Sequence, residues 1–131
     1  MKKVTLRGKY DVIVEEVETP KITDDQFLLK TIITGISAGT ELMWYRGTNP
    51  GFASGRIGYP STPGYAHVGE VVEIGKKVQG VAAGDKVLTG FGHQEYAAIG
   101  PADLSCVLPD QLEPQAALFT SITSTAVHAI H

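Results

Sequence analysis

Apolar residues in this chain fall in short runs separated by Gly and Pro, and most of the runs carry the β-branched residues that favour strands. Val4–Leu6 and Asp11–Val14 predict a first pair of strands, and Pro20–Asp25 is a polar break. Phe27–Ile36, dense in Leu, Ile and Thr, predicts the best strand of the N-terminal half. Further strands are expected at Ala66–Ile74, Lys86–Thr89, Glu95–Ile99 and Ser105–Leu108. Many short strands with frequent turns predict a mainly β fold, a small closed or partly closed barrel. Between Ser37 and Pro63 the pattern lapses into an irregular stretch rich in Gly and Pro, too long for a mere connector and so a functional-loop candidate, with Gly51–Gly58 as a mobile lip.

The C-terminal pattern is different. Asp110 or Glu113 is placed to cap a helix that carries Pro114 in its first turn. Ala117, Leu118, Ile122, Ala126 and Ile130 then form a helical stripe. The stripe is still running at His131 with no Gly, Asn or Pro to close it, which predicts a truncated helix and a fragment of a longer protein.

Composition adds bounds. The 131 residues suffice for one domain, here 1–131, and the net charge of -3 gives no nucleic-acid surface. Residues 87–131 contain no Lys or Arg, so this third is either buried core or a face covered by something outside the chain; both readings stay open. The expectation is that the isolated chain self-associates. No long apolar run suggests a signal peptide or a membrane span, and a cytoplasmic location is the default. Cys106 stands alone, which excludes an internal disulfide, and its apolar neighbours Val107 and Leu108 predict a small core residue rather than a reactive thiol.

The densest signal runs from Pro63 through Gly64, Gly69 and Gly75, followed by Gly84-Asp85-Lys86-Val87, Glu95-Tyr96, Leu108-Pro109, Gln115-Ala116-Ala117-Leu118 and Thr125-Ala126. This ordered series resembles the N-terminal, GroES-like domain of the medium-chain dehydrogenase/reductase superfamily, the zinc alcohol dehydrogenase type, over essentially the whole chain. The resemblance implies a Rossmann domain in cis beyond the C-terminal helix. No Gly-x-Gly-x-x-Gly follows a strand here, so the dinucleotide fingerprint is missing from this chain.

In that family the catalytic zinc is held by a cysteine, a histidine and a third ligand near the domain join. The matching positions here are Ser37, Tyr65 and Ser121, and a single cysteine excludes the family's four-cysteine structural zinc lobe. Zinc prefers thiolate, imidazole or carboxylate, so two neutral hydroxyls and a phenol predict no metal site and no zinc. A weak substitute drawing on His67, two residues from Tyr65 and on the same face of a regular strand, and on Glu41 is the less favoured reading. Without zinc a reductase needs another electrophile. A phenol stays protonated at neutral pH, which makes Tyr65 the candidate, with Ser37 and Thr40 as helpers. The alternative is that Tyr65 only fills the space of a lost metal.

The same resemblance places Met43, Trp44 and Tyr45 on a helix beside the substrate cleft, as pocket wall or, preferred, as core packing. His67 is a pocket candidate, and Thr125 and Ser121 lie on the cofactor side. Arg46 reads as a solvated surface residue and His93 as an exposed loop histidine. His128 and His131, at the fraying terminus, are discounted as a metal clip. The function so implied is the N-terminal catalytic domain of an NAD(P)-dependent oxidoreductase, NADP included. It would be zinc-independent and move hydride to or from a carbonyl, an alcohol or an activated alkene. Its partners would be a small-molecule substrate, the Rossmann domain and further copies of itself, and the isolated fragment would be inactive. A non-enzymatic assembly module built on a stripped GroES-like barrel is the alternative.

Overall fold

The computed structural model describes residues 1–103 and 105–130; His131 lies outside the described residues. Its elements run in the order β1 (Lys2–Gly8), β2 (Asp11–Glu16), β3 (Phe27–Gly35), α1 (Ala38–Tyr45), α2 (Pro50–Ala53), β4 (Ala66–Ile74), β5 (Lys86–Thr89), β6 (Tyr96–Ile99), β7 (Ser105–Val107), α3 (Pro114–Ala117) and α4 (Thr120–Ile130). The fold is mainly β, and every predicted strand is present to within a few residues.

Of the closed or partly closed barrel expected, full closure is not found. Among the described residues there is a five-stranded antiparallel sheet in the order β6-β3-β4-β5-β7 and a separate β1-β2 hairpin. Two isolated bridges, Lys3 with Gln94 and Leu6 with Ser61, and hydrogen bonds such as that from the Tyr10 N–H to the Tyr45 carbonyl tie the hairpin to the rest. β3 is the centre because it is long enough to pair with β4 along one side and β6 along the other. Register breaks at Leu28/Leu29 and Thr31/Ile33 bend it, and that bending curves a sheet whose ends remain open.

Alternation splits the buried side chains into two groups. Phe27, Leu29, Val71, Val87, Ala97 and Ile99 form the main core. Val68, Leu108 and Ala117 form a second cluster on which α3 packs. Gly75 sits where a side chain cannot: an added Cβ would lie 2.4 Å from the Thr23 carbonyl oxygen and 2.5 Å from that of Asp24. That close approach lets the Gly75 N–H reach Gln26 O at 2.8 Å and pins the Pro20–Asp25 break against the end of β4.

The irregular stretch from Ser37 to Pro63 is also corrected, since it contains two helices. Glu41 supplies what the sequence pattern hid: its Oε1 accepts the Ser37 N–H at 2.7 Å and so caps the helix that Ser37 itself does not cap. The predicted C-terminal helix is two helices. Glu113 is the N-cap residue of α3, although its side chain makes no capping bond. The helical stripe divides with them: Ala117 is buried, whereas α4 has no buried residue and leaves Ile122 and Ile130 exposed. The charge-poor third is therefore mixed: Val87, Ala97, Ile99, Leu108 and Ala117 are core, whereas β7 and α4 lie at the surface. No helix of the described residues is long and apolar enough to cross a membrane.

Candidate functional site

The start of β4, the end of β5, β7 and α4 border a groove of about 580 Å³. Tyr65 stands at its rim just before β4 begins, and Ser121 and Thr125 enter one turn apart on α4. Leu88, Cys106 and Leu118 supply apolar wall. Three residues proposed from sequence thus come together, although 56 or more positions separate Tyr65 from the other two. No lining residue is charged. Seven carry hydroxyls, so the wall can exchange hydrogen bonds with a neutral polar group yet offers no counter-ion.

Cys106 is corrected from core to exposed residue. β7 is an edge strand with all three of its residues exposed, so apolar neighbours in sequence did not mean burial. Ser37 and Thr40 do not line this groove. Ser37 precedes α1 and Thr40 lies within it. Met43 is exposed and Trp44 half-buried, with its Nε1 shielded and without a hydrogen-bond partner among the described residues. Tyr45 borders a second groove, of about 560 Å³, together with Thr34, Glu41 and His93.

His67 does not line the groove that Tyr65 borders. Its ring is fully buried between Thr31 and Thr89, each 2.8 Å away. The Thr31 hydroxyl donates its one hydrogen to the Gln94 carbonyl at 2.5 Å, so it can only accept from His67. This makes His67 Nε2 the protonated nitrogen, and Nδ1 accepts the Thr89 hydroxyl proton. Burial pushes the His67 imidazole down to about 4, with a smaller push from the nearby His93. It is a neutral core histidine that ties β3, β4 and β5 together.

His93 is corrected as well. Far from solvent-exposed, its side chain and that of Glu41 are each 11% exposed, with Nε2 and Oε2 2.8 Å apart. Its Nδ1 meets the Thr34 hydroxyl at 2.8 Å. Glu41 and Thr34 lie 52 and 59 positions away, so no local pattern pointed to this cluster.

Among the described residues no three His, Cys, Asp or Glu side chains form a metal-holding group. The donor chemistry agrees with that geometry. Of the three positions matching the zinc ligands, Tyr65 and Ser121 share the groove while Ser37 stands outside it, and all three are neutral oxygens that do not fit zinc.

The family described as alcohol dehydrogenase GroES-like domain matches residues 23–111. Over 143 aligned positions the chain is 29% identical to a 2-desacetyl-2-hydroxyethyl bacteriochlorophyllide A dehydrogenase of Cereibacter sphaeroides, covering 97% of this chain and 44% of that one. In structure it is similar to 2R,3R-butanediol dehydrogenase of Bacillus subtilis, with a TM-score of 0.80 at 24% identity, covering 98% of this chain and 46% of that one. It is also similar to a quinone oxidoreductase of Coxiella burnetii, with a TM-score of 0.79 at 24% identity over 99% of this chain and 44% of that one. These structural likenesses speak for the fold. The chain spans less than half the length of each of these relatives.

Proposed function

The chain belongs to the alcohol dehydrogenase GroES-like domain family, and on that premise we propose that it forms the substrate side of a zinc-independent, NAD(P)-dependent oxidoreductase whose cofactor domain lies in cis. The reading rests on the convergence of Tyr65, Ser121 and Thr125 on one groove. A nicotinamide bound opposite would supply or accept the hydride. The chain's own residues do the rest. The Tyr65 phenol is the hydrogen-bond donor to the reacting oxygen, and stabilises the negative charge that grows there. Ser121 and Thr125, one helical turn apart, line the cofactor side with hydroxyls. The Leu88 and Leu118 walls exclude water. Ser37, just before α1, Thr40, within it, and Met43, Trp44 and Tyr45 stand outside this groove, so no step rests on them.

An uncharged wall suits a neutral carbonyl, alcohol or activated alkene better than a carboxylate or phosphate ester. The enzyme is read as a cytoplasmic homo-oligomer. In the full-length protein Tyr65→Phe should lower turnover by at least about tenfold, and near-normal turnover removes the role given to Tyr65. Metal analysis of the same preparation tests the other half: stoichiometric zinc overturns the zinc-free reading.

A further inference from the structure

We infer that the His93–Glu41 pair is a positioning device that fixes where Ser37 and Tyr65 stand relative to one another. This rests on the proposed role of Tyr65, but its geometry is independent of that role. Glu41 divides its carboxylate: Oε1 holds the Ser37 N–H at 2.7 Å and Oε2 holds His93 Nε2 at 2.8 Å. His93 in turn touches the segment that leads into Tyr65. Its own N–H donates to the Pro63 carbonyl at 2.9 Å. Its ring lies against Gly64, where an added Cβ would be 3.0 Å from the ring Cε1 and 3.1 Å from Nε2.

Gly64 has a φ of 103°, a conformation that other residues rarely adopt, so the chain turns into Tyr65 in one fixed way under the His93 ring. The remaining ring nitrogen is anchored to Thr34 on β3, the central strand. A single imidazole thus joins the α1 start, the Pro63–Tyr65 turn and the sheet.

The pair works in either protonation state of the imidazole. With Nε2–H directed to Glu41, Nδ1 accepts from the Thr34 hydroxyl. With both nitrogens protonated, the Thr34 oxygen accepts instead. Both Glu41 oxygens are already engaged, one by the Ser37 N–H and one by His93 Nε2, so the carboxylate acts through those two partners.

The test uses side-chain NMR signals of tyrosines, selectively labelled, in this chain. The five tyrosines give internal controls, and Tyr65→Phe assigns the signal of interest. His93→Phe keeps a ring over Gly64 but removes both side-chain bonds. Thr34→Val removes only the Nδ1 partner and guards against failure of the first variant to fold. Glu41→Gln keeps an oxygen for Ser37 and a group for His93, and is the conservative rescue.

The expected result is that His93→Phe and Glu41→Ala shift the Tyr65 signal and speed Ser37 amide exchange by about tenfold or more. Thr34→Val should do so less, Glu41→Gln should restore both, and Tyr96 should stay in place. An unmoved Tyr65 signal in folded His93→Phe or Thr34→Val overturns the inference, and so does a shift spread equally over all tyrosines. None of these readouts depends on turnover, so a failed dehydrogenase assay leaves this test intact. In an active full-length enzyme the same variants should lower kcat with little change in KM.

Discussion

A buried neutral histidine makes stability depend on pH in a way that one substitution removes. His67 is fully buried, and its imidazole is held down to about 4 against an ordinary 6.5. The unfolded chain therefore binds a proton between pH 6.5 and 4 that the folded chain refuses. The sign follows. The contribution is fully present above pH 6.5 and is lost progressively as pH falls toward 4. From those two values the loss amounts to about 2 kcal/mol at pH 5 and about 3 kcal/mol at pH 4.

Replacing His67 by Phe removes the titration but strands the Thr89 hydroxyl, whose proton went to Nδ1. That should cost about 1–3 kcal/mol at pH 7.5, partly offset by the added apolar burial. The assay is urea unfolding, followed by the fluorescence of Trp44, the only tryptophan, at pH 7.5, 6, 5 and 4.5. Every other ionisable group is common to both proteins, so the informative quantity is the difference between the two curves. The variant should be the less stable at pH 7.5 and should close the gap or overtake by pH 5. Parallel curves across the whole range would refute the reasoning, because they would mean that His67 accepts its proton in the fold as readily as outside it.

Other expected outcomes need less working. Leu29 is fully buried in the main core, so Leu29→Ala should cost about 2–5 kcal/mol by the same urea titration. Gly75→Ala drives a Cβ to within 2.5 Å of two backbone carbonyl oxygens, and should cost about 1–3 kcal/mol by overpacking; an unchanged midpoint would mean that the Thr23–Asp24 turn yields freely. Cys106 on an exposed edge strand should react stoichiometrically with a thiol reagent in the folded chain, and a thiol titratable only after denaturation would contradict its placement.

Strand placement was legible because each strand carries its own signal. β4 runs from Ala66 to Ile74 and β5 from Lys86 to Thr89, as the run of apolar and β-branched residues between turns suggested. The pattern of the Ser37–Pro63 stretch showed neither helix, and only the family resemblance put Met43–Tyr45 on one; α1 is started by a carboxylate reaching back to Ser37. Three of the proposed groove residues were legible through motif order: Tyr65, Ser121 and Thr125 line one groove. What they do there is a separate matter, and rests on the experiments above.

Sequence alone determined the order of strands, the family to which the chain belongs and the absence of thiolate at Ser37, because each is a property of local pattern or residue type. Tertiary structure alone decided the fates of the histidines and the cysteine. His67 is sealed between two threonines from neighbouring strands, His93 is drawn inward by Glu41 and Thr34, and Cys106 is left on an open edge. The physical reason is the same in each case. Burial and partnership depend on which distant strands pair, and chain neighbours carry almost no record of that.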